Sequence, residues 1–337
     1  MPSLTWNRHM ETNKRAVASA PGKILVAGEY AVLYGAQAVL IAVNRRAHAS
    51  LVAESQKLSP FLAALRQSLV DHYGVRNDAV SAAANVRVDS QDLYGTDGTK
   101  YGLGSSAAVT VAATTLCLDA IGEHNPALIH RIAHQAHAQA QQARGVRGSG
   151  ADIACSIFGG VITAQPGKKD GSLPTVKQLP FSPQVTWVAI WTGVAADTVT
   201  LVKQVEQFRG QMPKSHERLC SEIAETAANL AYALSRRDPT QTDKIIAAIS
   251  RGGDAIMRLG QEAGITLYSK THQDIHTIAE RYGGAAKPTG AGAGDIAIAA
   301  LPTPQAAQSF REDTRAHGLH IVDLQIALRG AQIDSNT

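Results

Sequence analysis

The nine residues Lys100-Tyr101-Gly102-Leu103-Gly104-Ser105-Ser106-Ala107-Ala108 restrict this chain more than any other stretch. Two glycines precede two serines, and a mostly apolar run follows as far as Ile121. Glycine removes the side chains that would hold a ligand away from the backbone. The run is long enough for a buried helix beginning near Ser105. The free amides and the positive dipole end of such a helix form an anion site. The serine hydroxyls could add hydrogen bonds or a magnesium ligand. A serine N-cap alone would account for Ser105, but not for the two glycines and Lys100 before it.

Two further glycine-rich stretches occur, Ala20-Pro21-Gly22-Lys23-Ile24-Leu25-Val26-Ala27-Gly28-Glu29-Tyr30 and Lys287-Pro288-Thr289-Gly290-Ala291-Gly292-Ala293-Gly294-Asp295. One such stretch reads as an ordinary turn. Three together, two of them carrying lysine and hydroxyl residues, point to phosphate binding.

Composition narrows the class of molecule. With 45% hydrophobic and 18% charged residues over 337 positions, the chain can bury a large core and is not disordered. The net charge of +4, without a run of five basic residues, argues against a nucleic-acid partner and suits a small anionic substrate. No run of about 18 apolar residues suggests a membrane span. The polar start MPSLTWNRHMETNKR has no apolar signal core, so a cytoplasmic protein is expected. Cys117, Cys155 and Cys220 are far apart and form no metal or redox spacing.

Residues 1–15 read as a polar tail. A strand, a turn at Pro21-Gly22-Lys23 and further strand material follow. Ser59 and Pro60 open a helix, Pro126 opens another, and the strand-like GGVITAQPG and VTWVAIWTG suggest a first domain over 16–185. The remainder, 186–337, shows helical patterns near 214–236, 240–260, 270–282 and 304–316. Strands at GDIAIAALP and LHIVDLQIAL complete an α+β unit.

Known phosphate motifs can be tested directly. A Walker A loop ending at Gly22-Lys23 fails, because Val17 and Ile24 occupy its glycine and hydroxyl positions. Gly102, Gly104 and Ala107 formally meet a dinucleotide fingerprint, which would make an NAD-dependent oxidoreductase. GTDGTKY stands where that fingerprint needs an apolar strand. The protein-kinase motifs are absent. His130 and His134, four apart, could reach one zinc ion, but no carboxylate pattern supports that.

The three glycine-rich stretches, in this order and spacing, resemble the GHMP family of small-molecule kinases. The resemblance covers nearly the whole chain. It implies an α+β two-domain fold, with an N-terminal ribosomal-protein S5-like α/β sandwich and a C-terminal ferredoxin-like domain. The site then lies between them, and the cofactors are ATP and Mg2+. Gly148-Ser149-Gly150-Ala151-Asp152 resembles the catalytic-aspartate motif of the mevalonate-pathway members. Tyr30, Lys100-Tyr101, Gly294-Asp295 and the segment from Trp191 to Lys203 lean toward the phosphomevalonate kinases. GAQAVLIAVNRRAHASL reads more like a mevalonate kinase, which is the alternative. Mevalonate kinases also place a magnesium-binding glutamate at the position that is Gln141 here, which disfavours that alternative or leaves the metal to Ser106, phosphates and water. A non-catalytic nucleotide-binding protein on the same fold is a further reading.

The resemblance assigns roles residue by residue. Asp152 would be the catalytic base or orienting group, with Lys23 as its partner and a stabiliser of developing charge. Gly102, Leu103, Gly104, Ser105, Ser106 and Ala107 would hold the nucleotide, with Ser106 facing the metal. Tyr30, Lys100, Ser149, Thr198, Thr289 and Ala291 would meet the substrate. The partner would be a phosphorylated or hydroxy acid small molecule, and the protein a monomer or homodimer.

Overall fold

The computed structural model describes residues 16–53, 57–167, 171–180 and 185–334. The N-terminal tail over 1–15 lies outside them. The first sheet is antiparallel and contains β1 (Val17–Ala27), β2 (Ala38–Leu51), β3 (Val86–Asp89), β4 (Val161–Gln165), β5 (Thr175–Leu179) and β10 (Gln332–Asp334). Its order is β10-β1-β2-β4-β5, with β3 also paired to β2. The chain's last strand thus returns from the second half to lie beside its first. The expected turn at Pro21-Gly22-Lys23 is instead part of β1. The strand continues through it with a register shift between Pro21 and Gly22. Proline has no N–H for the ladder, and a bulge accommodates it without ending the strand.

Five helices cover this sheet: α1 (Pro60–Tyr73), α2 (Asp78–Ala84), α3 (Ser105–Asp119), α4 (Pro126–Gln142) and α5 (Ala151–Phe158). Ser59 caps α1 by accepting from the Leu62 amide, and Asn125 caps α4 ahead of Pro126. Helix α3 is buried from Ala107 to Leu118 apart from Val109. It packs on β1 and β2 below and on α4 beside it, so every face is apolar. The sequence placed this helix correctly because its whole surface, not one stripe, had to be apolar.

The second sheet, order β7-β8-β6-β9, is also antiparallel, with β6 (Thr186–Trp191), β7 (Ala285–Pro288), β8 (Ile296–Leu301) and β9 (His320–Val322). Helices α6 (Thr198–Gln211), α7 (Pro213–Leu234), α8 (Gln241–Ala263), α9 (Lys270–Arg281) and α10 (Pro304–Ala316) accompany it. Val188, Ile190, Ile278, Leu301 and Phe310 form one of its cores. Helix α6 was not anticipated. Its Val199, Thr200 and Val202 are weak helix formers, and the burial of Leu201, Val205 and Phe208 against Leu219, Ile223 and Leu259 decides the outcome. No described helix is long and apolar enough to cross a membrane.

One ion pair ties the two halves together. Lys287 of β7 is almost wholly buried. Its ammonium donates to the Glu29 carboxylate, to Val26 O at 2.9 Å and to Pro288 O at 2.7 Å. Room for its stem comes from Gly252 and Gly253 in α8. A Cβ at Gly252 would sit 3.3 Å from Lys287 Cδ, and one at Gly253 3.4 Å from Lys287 Cβ. Burial pushes the Glu29 carboxyl up, and the Lys287 charge opposes this. Lys287→Met, which strands a buried carboxyl, is predicted to cost about 3–5 kcal/mol in urea denaturation. A loss near zero would show that the pair does not hold the halves together.

His130 and His134 of α4 are buried away from the cleft lining. His130 lies edge-on to Phe158 at 5.4 Å and to His134 at 6.2 Å between ring centroids. Among the described residues no cluster of three or more His, Cys, Asp or Glu could hold a metal ion. Burial pushes His130 down to about 4 from an ordinary 6.5. Unfolding restores the ordinary value, so between those limits the unfolded chain binds more protons than the folded one. The stability His130 permits is complete above 6.5 and is lost as pH falls toward 4. His130→Phe is predicted to flatten the acid side of the stability curve, measured by denaturation at successive pH values. A curve parallel to the parent's would contradict this.

Candidate active site

The three glycine-rich segments converge on one cleft of about 840 Å³. Its first wall is the N-terminus of α3. Gly104 is the N-cap, at φ 72°, and no side chain caps the helix. A serine cap was the plain explanation for Ser105, and the structure puts glycine there instead. Both hydroxyls turn to other partners. Ser105 Oγ lies 3.1 Å from Tyr94 Oη, and Ser106 Oγ lies 3.1 Å from His137 Nε2. The uncapped terminus leaves its dipole end to an anion.

Strand β1 is fastened to this loop. The Lys23 amide donates to Leu103 O at 2.9 Å. A Cβ at Gly22 would fall 2.8 Å from the same oxygen, and one at Gly104 2.6 Å from Lys23 Cε. The lysine stem therefore lies across Gly104, and its Nζ reaches within 3.5 Å of Asp152 Oδ2. Asp152 stands in the first turn of α5, behind Gly150 at φ 75°. Ser149 Oγ accepts from the Ala151 amide at 3.3 Å, which shapes that turn.

The third segment closes the cleft. Tyr30 Oη donates to Ala291 O at 2.6 Å, so these two expected substrate residues bind each other. Burial pushes the Tyr30 phenol up, and it stays protonated. The Thr289 hydroxyl donates to Ile296 O at 2.6 Å and so fixes its own loop. Thr198 lines the cleft at the start of α6, but the cap is Asp197, whose carboxylate accepts from the Thr200 amide. Lys100 is exposed on the rim and Gly102 lies on the wall. Leu103 and Ala107 are buried in the core, so their side chains belong to the support of the loop.

Other cleft residues were given no site role from the sequence. Asp295 Oδ1 accepts from the Ala196 amide at 3.0 Å, and Oδ2 occupies the space a Cβ on Gly102 would need. Burial raises its carboxyl, partly offset by Lys100 and Lys23. The sequence marked it only as the end of the third glycine-rich segment, in the pair Gly294-Asp295. His137 is held neutral by burial, down to about 4. Lys57, Arg87, Arg144 and Arg147 add cations to the lining, and Leu58, Leu62, Val86 and Val88 an apolar surface. Gln141 lines it too, with a buried Oε1 that has no hydrogen-bond partner.

The arrangement can hold a polyanion against a helix terminus with a lysine–aspartate pair beside it. Its local demand is sharpest at Gly104. Gly104→Ala is predicted to cost about 1–2 kcal/mol from its left-handed backbone alone and to displace Lys23. Denaturation measures the first and a crystal structure of the variant the second. An unchanged stability and lysine position would contradict the tight packing described.

Residues 67–160 match the model of the GHMP kinases N terminal domain. A phosphomevalonate kinase of a Streptomyces species is 30% identical, over 87% of this chain and 91% of that protein. The mevalonate kinase of Archaeoglobus fulgidus is 28% identical, over 90% of this chain and 99% of its own length. In three dimensions the chain resembles the Streptococcus pneumoniae phosphomevalonate kinase solved with phosphomevalonate and AMPPNP. The TM-score is 0.76 at 19% identity, covering 92% of this chain and 99% of that one. The chain belongs to the GHMP kinase family, and its two-sheet α+β architecture is that family's fold.

Proposed function

We propose that this kinase transfers the γ-phosphoryl group of ATP to 5-phosphomevalonate, giving 5-diphosphomevalonate and ADP. The observation that carries the reading is the Lys23–Asp152 pair, 3.5 Å apart beside the uncapped terminus of α3. That terminus would receive the triphosphate, and the apolar surface of Leu58, Leu62, Val86 and Val88 would take the base. Lys100, Arg144 and Arg147 favour an acceptor that carries phosphate as well as carboxylate.

Phosphoryl transfer asks for alignment and charge neutralisation more than for covalent chemistry. An acceptor phosphate oxygen attacks the γ-phosphorus as the bond to the β–γ bridging oxygen breaks, and ADP leaves. A phosphate monoester is largely ionised at neutral pH, so little proton removal is needed. Asp152 then orients the acceptor, and Lys23 neutralises charge on the phosphoryl group in flight. Tyr30, bonded to Ala291, and Thr289, bonded to Ile296, keep the substrate side rigid. Magnesium fits the oxygen donors present: the Ser106 hydroxyl and the orphaned Gln141 Oε1 are hard ligands that would hold it beside the phosphates. When bound, it would neutralise phosphate charge.

A mevalonate acceptor is the second reading, favoured by the mevalonate kinase relative. It would require Asp152 to take the hydroxyl proton. ADP release with magnesium-ATP, measured in parallel on both acceptors, separates them. Turnover on 5-phosphomevalonate with little on mevalonate is expected. The reverse would reassign the acceptor, and no turnover on either would point to nucleotide binding without catalysis. Asp152→Asn is predicted to lower kcat by about a hundredfold or more while leaving the ATP KM near the parent value. Near-parental turnover would remove Asp152 from its role.

A further inference from the structure

Ser106 and His137 come from different helices and meet on the wall of the cleft. Ser106 Oγ lies 3.1 Å from His137 Nε2. The imidazole is buried and stacked on Phe61 of α1, 5.2 Å between centroids and 23° between planes. This stacking on a half-buried residue of the cleft wall fixes the ring plane, and the contact with Ser106 Oγ lies at its Nε2 edge. A hydroxyl carries one proton and two lone pairs. If it is to present lone pairs to a cation, its proton must point to another acceptor. His137 Nε2 stands where that acceptor is needed. One turn along α4, Gln141 lines the same cavity, and its Oε1 is buried beside Gly148 with no hydrogen-bond partner among the described residues. Helix α4 thus brings uncharged acceptors, and no carboxylate, to this wall.

We propose that His137 is a positioning residue for the metal–nucleotide complex: its Nε2 accepts the hydrogen bond of the Ser106 hydroxyl, which turns the oxygen's lone pairs toward the metal. The proton stays on the serine, and no bond is made or broken. The inference rests on the reading of Ser106 as a metal-facing group in a kinase, and adds the residue that aims it. Partners of this kind, one step removed from the metal, change affinity by about 10- to 100-fold when lost.

Mn2+ binding in the presence of AMPPNP, followed by the electron paramagnetic resonance signal of free Mn2+, reads this directly. Calorimetry of AMPPNP in EDTA reports nucleotide binding without metal. His137→Phe keeps the ring volume and the Phe61 contact but removes the acceptor. It should weaken Mn2+ binding by about tenfold and leave metal-free AMPPNP affinity unchanged. His137→Gln, which restores an acceptor, should recover part of the loss. With Ser106→Ala already in place, His137→Phe should cause no further loss.

Parental Mn2+ binding by His137→Phe would overturn the proposal. So would an equal loss for metal-free AMPPNP, or an undiminished loss in the Ser106→Ala background. If His137→Phe does not fold, His137→Leu, which also removes the acceptor, with and without Ser106→Ala gives the same coupling, and zero coupling would overturn the proposal. A parent protein that binds no Mn2+ with AMPPNP would contradict the kinase reading itself, and this inference with it. Parental binding with an unaffected variant would contradict the inference alone.

Discussion

An ammonium group with no access to water must find all of its partners inside the protein, and Lys287 finds three. Glu29, Val26 O and Pro288 O receive its protons. Val26 lies in β1, Glu29 two residues beyond its end and Pro288 in β7, so the ion pair locks the first glycine-rich segment to the third. The rest of the cleft follows from that lock. Tyr30, one residue beyond Glu29, meets Ala291, and Asp295 meets the loop at Gly102. Lys23, on β1 and six residues upstream of Glu29, crosses Gly104 to reach Asp152. A helix interior with two glycines is weak on its own account. Here Gly252 and Gly253 leave the space that the lysine stem fills.

The charge balance of the cleft explains why it suits a polyanion. Two of its three carboxylates, Glu29 and Asp152, each face a lysine, and the third, Asp295, is pushed toward neutrality by burial. Lys57, Lys100, Arg87, Arg144 and Arg147 also line the same space. The uncapped end of α3 adds a fixed positive dipole. Cations concentrated in a cleft attract anionic ligands more strongly than scattered surface charges do. The modest net charge of the chain therefore understates the local field.

Much of this was legible in the sequence where one residue type answers one physical demand. Ser59 with Pro60, and Asn125 with Pro126, announce helix starts because few other pairs satisfy the first turn. Gly102 and Gly104 announce a loop with left-handed backbone, and both adopt it, at φ 75° and 72°. The reading failed where tertiary contacts outvoted local signals. Pro21-Gly22-Lys23 has the composition of a turn, yet the ladder on both sides of it carries β1 through. Helix α6 has β-branched residues and forms because its apolar side is buried. Leu103 and Ala107 stand in the nucleotide motif with their side chains in the core, which leaves the backbone as the part of them that a ligand could meet. His137 gave no signal, because a histidine on an apolar helix face looks the same whether it fills space or aims a hydroxyl.

The central claim is geometric: one cleft brings a triphosphate on the α3 terminus and an acceptor phosphate into line beside Lys23 and Asp152. A crystal structure with AMPPNP and 5-phosphomevalonate bound together tests it most directly. The triphosphate is expected at Ser105 and Ser106, with an acceptor phosphate oxygen about 3–3.5 Å from the γ-phosphorus and flanked by Lys23 and Asp152. A triphosphate seated elsewhere, or an acceptor out of reach of that pair, would contradict it.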